Sequence, residues 1–533
     1  MTEGHSTSDQ SGQSPADSPE TQETPESSDA ETAHGSSEST DQTQQGLGRI
    51  AIRGTAYIFL GQIIVKIMAL LSLWVLGYYL DKVHFAQWGL ALSAVALADC
   101  VRDLGAHKVL IQRGKEFNEI GSPVFKMGFC FNLVATAILL AMAPAMARIY
   151  DDPVIAWLIV IAALTIPLQS PVMILRAKMS IDLRFKTMAK ISIAAQFVKN
   201  GSMIIFAISG FGVYSFVIPM MLMVLFYLAA FRYCAGPLPP RRPLTREHFG
   251  TIFAAVKWIT LSAFFGALIY QGDRLIIGLF EDDQVLGDYF FSFQLILSTV
   301  VIFGSGVISV FMPTLSKLTG YPDRQALAFE KMIRVSSVVF SVVCVLAVMV
   351  SDPVIHLMWQ GKWDSAIPAA ELMSLSLCVY LIGPVAMSFI EASGLWRLRA
   401  GLMFAEMIGV LIAAALGASF GGLVAIAASI SGVKAVVSLA QCLIAGRLAG
   451  LGIWALIRAI MGPIVLAGIC CSVSYFGFAW LMDGQASWVI ASAALVLFGV
   501  LFLAGLFTLM RSRFDEVMGV FGHLIPGRLS GGS

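Results

Sequence analysis

The sequence predicts an all-α integral membrane protein of about fourteen transmembrane helices, arranged as two parallel six-helix repeats followed by two further helices. Composition is the first observation behind this: the chain is 57% hydrophobic and only 13% charged, with a mean hydropathy of +0.79. Soluble domains average roughly 45–50% apolar and 25% charged residues, so no soluble core could hide this much apolar surface. The second observation is a regular series of long apolar runs, and the third is the alternation of basic residues between them.

The apolar runs fall near 55–80, 86–101, 124–147, 154–175, 189–209, 211–231, 251–271, 285–311, 333–351, 366–390, 400–418, 422–445, 456–481 and 487–510. Each is long enough, or nearly so, to cross about 30 Å of hydrocarbon as a helix. An even number of spans places both termini on one side. Basic residues gather on cytoplasmic loops, and 28 of the 35 lie beside the tail or on the loops expected to share its side, among them Arg102, Arg113, Arg176, Arg184, Arg241, Arg242, Lys331 and Arg397. The opposite loops hold Lys82, Arg148 and Lys362, with Arg274 near that face. The pattern therefore puts both termini in the cytoplasm.

A weak internal repeat sets the order of the halves. Asp152-Pro153-Val154-Ile155 recurs as Asp352-Pro353-Val354-Ile355, Gly77 answers to Gly278, and Phe211-Gly212 answers to Phe420-Gly421. These anchors align spans 1–6 with spans 7–12 in the same direction, a parallel duplication about an axis along the membrane normal. Paired bundles of this kind suit rocking about a central site. The expected segments are an acidic cytoplasmic tail 1–48, a first bundle 49–235, a basic linker 236–250, a second bundle 251–447, spans 13 and 14 over 448–510, and a cytoplasmic tail 511–533.

The formal net charge of +1 averages two unlike regions. Residues 1–48 hold ten acidic and no basic side chains, leaving 35 basic against 24 acidic residues, a net +11, for the rest. A Ser/Thr/Gln/Glu/Pro-rich tail of this kind cannot bury enough surface to offset its ordering entropy, and it reads as disordered. No signal-peptide pattern precedes it. The eight cysteines all lie in or beside apolar runs with no metal-ligand spacing, which reads as packing and not as disulfides.

Ionisable groups deep in a span cost about 2.5–3.5 kcal/mol on insertion scales and are functional candidates by default. Lys66 lies midway along span 1, Lys199 within span 5 and Lys434 within span 12, while Arg274 follows Asp273 at the end of span 7. Comparably placed acids are Asp99 in span 2, Glu391 in span 10 and Glu406 in span 11. Lys66, Arg274, Lys199 and Lys434 are the candidates for a cavity; Asp99, Asp273 and Glu406 are the candidates for coupling an ion. Each also has a plainer reading. Lys66 snorkels, Lys199 and Lys434 are paired structurally, Asp273–Arg274 caps a helix at the interface, Asp99 pairs with Arg102, and Glu391 faces the rim beside Arg397 and Arg399. The repeat sets Lys199 within two or three residues of the position equivalent to Glu406, a cation in one half roughly opposite an anion in the other. Pro167, Pro171, Pro219, Pro384 and the Gly304/Gly306 pair mark places where spans bend or loosen.

The chain contains no GxxxxGK[ST] phosphate loop, so it carries no ATPase of its own. No exported loop is long, and none gathers the His, Asp, Glu and Arg residues that a polymerase, ligase or transferase needs. No enzyme, cofactor, metal site or nucleic-acid partner is expected.

Several stretches in sequence order, LGYYLDKVHFAQWGLALSAVALAD, RDLGAHKVLIQR, LRAKMSIDLRFKTMAK, GDRLIIGLFEDDQVLGDYFFSFQL, VFMPTLSKL and DPVIHLMWQGKWDSAIPAAELM, resemble the polysaccharide transporter branch of the MATE-like flippase superfamily. The resemblance covers about 49–450. The long acidic tail departs from it, as does HLMWQGKW, where such proteins more often carry a glycine directly before the tryptophan-containing turn. The resemblance implies a V-shaped pair of six-helix bundles with a cleft lined by spans 1, 2, 7 and 8. It implies a substrate of oligosaccharide on a polyprenyl diphosphate, flipped across a bacterial inner membrane for exopolysaccharide, capsule or O-antigen synthesis. Partners would be that lipid-linked substrate, membrane lipids, and a polysaccharide polymerase and glycosyltransferases of the same pathway. An ion-coupled exporter of small molecules on the same scaffold is the alternative, followed by a membrane-bound polymerase or ligase and by a non-transporting scaffold.

Overall fold

The computed structural model describes residues 64–103, 117–182, 184–235, 246–318, 320–481 and 487–511, with 513 and 516. The acidic tail 1–48, most of the linker 236–250, much of the basic stretch after span 2 and the surroundings of Gly304 and Gly306 lie outside what is described. The described residues all belong to one unit, Leu60–Ser533.

In hydrocarbon a backbone must satisfy its own hydrogen bonds, and the chain does so as helices throughout. These are α1 Ile64–Tyr79, α2 Lys82–Asp103, α3 Phe117–Ile149, α4 Pro153–Ile181, α5 Phe185–Ile208, α6 Tyr214–Ala235, α7 Arg246–Phe280 and α8 Asp283–Lys317. There follow α9 Pro322–Trp359, α10 Ile367–Tyr380, α11 Gly383–Ala392, α12 Trp396–Phe420, α13 Leu423–Leu448, α14 Ile453–Leu481 and α15 Ser487–Leu509. Among the described residues eleven spans are long and apolar enough to cross a membrane, with α10 and α11 counted within one of them. Fourteen were expected; α1, a shorter apolar helix, and α2 and α8 fall outside those eleven.

Side-chain contacts verify the up-and-down order. The α1–α2 turn meets the α9–α10 connection, where Lys362 Nζ lies 3.1 Å from Asp81. Gln87 donates to Asp152 at the α3–α4 turn (2.7 Å), and Glu281 at the α7–α8 turn accepts from the Gly422 N–H between α12 and α13 (2.8 Å). Among the described residues the α1–α2, α3–α4, α7–α8, α9–α10 and α12–α13 connections thus gather at one end, called distal below. It is the end that the basic residues assign to the outside.

The repeat anchors divide into true and accidental ones. Gly77, closing α1, lies under the Trp359 indole at the end of α9, and Gly278, closing α7, lies under Tyr150 just after α3. Each half therefore offers a bare glycine to an aromatic ring from the third span of the other. The two Asp-Pro-Val-Ile copies are not equivalent. Asp152 caps α4, its carboxylate accepting from the Val154 N–H at 2.8 Å with Pro153 in the first turn. Pro353 lies inside α9, which runs on to Trp359. The duplication stands on helix order, and that tetrapeptide match is coincidental.

Span 10 is broken. Pro384, in the first turn of α11, has no N–H to donate and disfavours helix just before it. Ser438 on α13 donates to the freed Tyr380 carbonyl at 3.1 Å. The last two helices attach to the second half through α9: Val338, Val345 and Met349 pack with Leu466, Phe498 and Phe502.

Candidate functional site

The cleft-forming helices meet along α2, which packs against α7 and α8 of the other half. At the distal end the seam between halves is shut. Lys82 forms a 3.0 Å ion pair with Asp288 on α8, and Ser365 donates to the same carboxylate at 2.7 Å. Lys362 donates to the Leu80 carbonyl at 2.8 Å. The Trp363 indole N–H reaches the Gly77 carbonyl at 2.9 Å. Trp359 donates to the Trp74 carbonyl and Trp74 to the Met358 carbonyl, each at 3.1 Å. Tyr150 donates to the Leu275 carbonyl at 2.7 Å. Beneath this polar layer Phe85, Phe291 and Trp363 form an aromatic plug, with Trp363 stacked on Phe291 at 4.0 Å. Gly287 lies directly against the Lys82 carbonyl, where any side chain would collide with backbone.

The HLMWQGKW segment, in which the sequence departs from the family pattern, is the clasp of this seam. Gln360 adopts a left-handed conformation (φ 53°) and Gly361 follows at φ 84°, so the chain reverses tightly and aims both tryptophans back at α1. Glycine is the residue that takes such conformations without strain, and here glutamine holds the first of the two positions.

Below the seam lies a charged network confined to the second half. Asp273 is fully buried, as is Arg274 beside it, and Glu406 and Lys434 are nearly so. Tyr289 on α8 donates to Asp273 Oδ2 at 2.7 Å, and Lys434 on α13 approaches the same oxygen at 3.8 Å. Gln441, two turns along α13, donates to Glu406 at 2.7 Å. Arg274 bonds Gln271, while its guanidinium lies 4.6 Å from both the Phe290 and Phe293 ring centres. Its Nε has no partner, and Gly89 of α2 closes over its stem.

The first half is arranged differently. Lys199 is in the electrostatic field of Lys66, where Ser72 of α1 meets the Asn200 carbonyl of α5 at 3.3 Å. Among the described residues neither lysine forms an ion pair. Two like charges are held near each other, each partly exposed.

The seven sequence candidates thus separate into groups. Asp273, Arg274, Lys434 and Glu406 come together, and Lys66 and Lys199 come together. Asp99 lies partly exposed on α2, in the other half from the Asp273 network. Lys199 is not brought to Glu406, because each answers to partners in its own half. Asp273–Arg274 is not a cap: α7 continues to Phe280, about two turns further on. Glu391 does pair with Arg399, at 2.6 Å. Sequence reasoning passed over Tyr289, Gln441 and the distal clasp. The two tryptophans flanking a Gln-Gly turn were the available signal.

Residues 75–368 match the family described as polysaccharide biosynthesis protein. Among curated proteins none matches the chain in sequence. Of solved structures, the lipid II flippase MurJ in an inward closed conformation is similar with a TM-score of 0.66 at 12% identity, covering 84% of this chain and 99% of that one. A multidrug resistance MATE family transporter of the MOP superfamily is similar in its inward-facing conformation (TM-score 0.58, 15% identity, 74% and 96% covered) and in its outward-facing one (0.52, 16%, 76% and 96%). These likenesses show the fold: an all-α, multi-pass membrane protein of that architecture.

Proposed function

The chain belongs to the polysaccharide biosynthesis protein family, and from that premise we propose that it flips a polyprenyl-diphosphate-linked oligosaccharide repeat unit from the cytoplasmic to the outer leaflet of a bacterial inner membrane. The observation that carries this reading is that Lys66 on α1 and Lys199 on α5, on helices joined through Ser72 and the Asn200 carbonyl, are partly exposed and form no ion pair among the described residues. Two ammonium groups without a carboxylate between them repel each other in a medium that screens poorly. A diphosphate or an acidic sugar relieves that repulsion, and a cationic drug would add to it.

In this reading residues 49–235 and 251–447 are the two moving bundles, joined by 236–250, and both tails face the cytoplasm. The diphosphate is drawn to Lys66 and Lys199 while the distal seam is closed. Opening that seam withdraws α2 from Arg274 and bares a guanidinium near the outer surface, so the anionic group passes from one cationic station to the next. The polyprenyl tail stays in the bilayer, beside the apolar groove of about 480 Å³ lined by Trp454, Met461, Val465 and Leu509 on α14 and α15. Polymerase and glycosyltransferases of the pathway would act before and after this step. The chain itself does no bond chemistry.

The test is the sidedness of polyprenyl-linked oligosaccharide in cells depleted of the protein. Accumulation on the cytoplasmic face with loss of an external polymer is expected. Delivery to the outer face at the normal rate would overturn the proposal and favour the small-molecule exporter, a reading supported by the same fold in the MATE transporter.

A further inference from the structure

The charged network of the second half closes on itself. Asp273 and Glu406 contribute two negative charges, and Arg274 and Lys434 two positive ones. Arg274 spends its guanidinium on Gln271 and on two phenyl rings at the seam. Lys434 is therefore the cation that faces both carboxylates, lying 3.8 Å from Asp273 Oδ2 and within the field of Glu406. The rings of Phe293 and Tyr380 stand 5.6 and 6.0 Å from its ammonium, an aromatic wall of the kind that attracts any desolvated cation. Beside it is a small cavity of about 40 Å³ lined by Tyr270, Tyr289, Ser376, Tyr380, Ser431 and Lys434. That is room for roughly two or three waters, with hydroxyl groups around it.

We propose that this is a monovalent-cation site whose occupant is covalently attached: Lys434 reaches in from α13 and supplies the positive charge that Asp273 and Glu406 require. The native site takes no diffusible metal ion. The Asp273 carboxylate, held by the Tyr289 hydroxyl, and the ring faces of Phe293 and Tyr380 make the cradle, and the ammonium fills it. Without the Lys434 side chain, the same cradle takes a small free cation, Na⁺ or an alkylammonium. The site lies beside the break between α10 and α11, where Ser438 holds the Tyr380 carbonyl, so its occupancy bears on how that broken span is held. This deepens the transport reading above, and its test is made on purified protein without transport.

Melting temperature is measured in N-methylglucamine, Na⁺, K⁺ and n-propylammonium buffers at equal ionic strength. The wild type is expected to be indifferent to cation identity. Lys434→Ala should melt lower in N-methylglucamine and recover by a few degrees in Na⁺ or in n-propylammonium, which replaces the three methylenes and the ammonium removed. The neutral double variant Asp273→Asn/Lys434→Met should be more stable than Lys434→Met alone and should show no cation response. Cation-specific stabilisation of the wild type that Asp273→Asn abolishes would overturn the proposal, as would a Lys434→Ala protein no more responsive than wild type. If Lys434→Ala cannot be recovered folded, the pair Lys434→Met and the double variant decides. A double variant that fares better supports the proposal, and one that fares no better overturns it.

Discussion

The two halves of this molecule keep the same helix order and bury their charges in opposite ways. In the second half, two carboxylates meet two cations with hydroxyl and amide partners, and the group is sealed from solvent. In the first half, among the described residues, Lys66 on α1 and Lys199 on α5 are partly exposed and form no ion pair. A balanced network inside a membrane protein is complete without a ligand. A like-charge pair is incomplete until an anion arrives.

The largest expected effect breaks the balanced side. Asp273→Ala leaves Lys434 buried without its ion-pair partner, and removing one partner of a buried pair costs about 3–5 kcal/mol. Chemical denaturation of the purified protein should show that loss. Lys199→Met should be neutral or slightly stabilising in the same assay, since it removes a repulsion. If the two substitutions cost the same, the contrast between the halves is wrong.

The lysine pair should be costly in transport instead. A charge-assisted contact to phosphate is worth roughly 1.5–3 kcal/mol, so Lys66→Ala and Lys199→Ala should each slow flipping about ten- to a hundredfold. The readout is lipid-linked oligosaccharide retained on the cytoplasmic face at unchanged protein level. Lys66→Arg should retain most of the activity. Normal export by both alanine variants would remove the case for an anion station there.

How much of this could be read from the residues depended on range. The all-α membrane class and the run of apolar helices were legible, because hydropathy is a local property of the chain. Which charges meet was not. The Asp273–Lys434 contact joins residues far apart in sequence, and the repeat that set Lys199 near the position equivalent to Glu406 relates like places in the two halves without bringing them into contact. The distal clasp was hidden for another reason. Trp359 and Trp363 act through indole N–H groups on backbone carbonyls of α1, and a carbonyl leaves no mark in sequence. Glycine did leave one: Gly77 and Gly278 proved to be the seats of opposing rings.

An intermediate effect is expected at the seam itself. Gly287→Ala drives a methyl group into the Lys82 carbonyl, and forced overpacking costs typically about 1–3 kcal/mol. Because the collision is between halves, it should favour separation of the distal ends more than unfolding of either one. A cysteine introduced at Ser365, which bonds Asp288 in the closed seam, should then react faster with a membrane-impermeant thiol reagent applied from outside. Unchanged labelling would mean that this glycine serves packing within α8 and not closure.

The smallest effect is expected at Glu391–Arg399, and it sharpens the contrast by holding charge constant while changing surroundings. The pair is shorter, at 2.6 Å, than the Lys434–Asp273 pair at 3.8 Å, yet both side chains remain about one-fifth exposed at the turn between α11 and α12. Water and salt screen an ion pair in that position, and exposed pairs measure roughly 0–1 kcal/mol. Glu391→Gln should therefore shift denaturation by less than about 1 kcal/mol and leave transport unaltered, and the small effect should fade in high salt. A loss here comparable to that of Asp273→Ala would mean that ion pairing as such sustains the second half. A near-zero value would mean that burial decides: the network around Asp273 is demanding because its carboxylate is fully buried and is met by Tyr289, Lys434 and the Arg274 N–H in place of water.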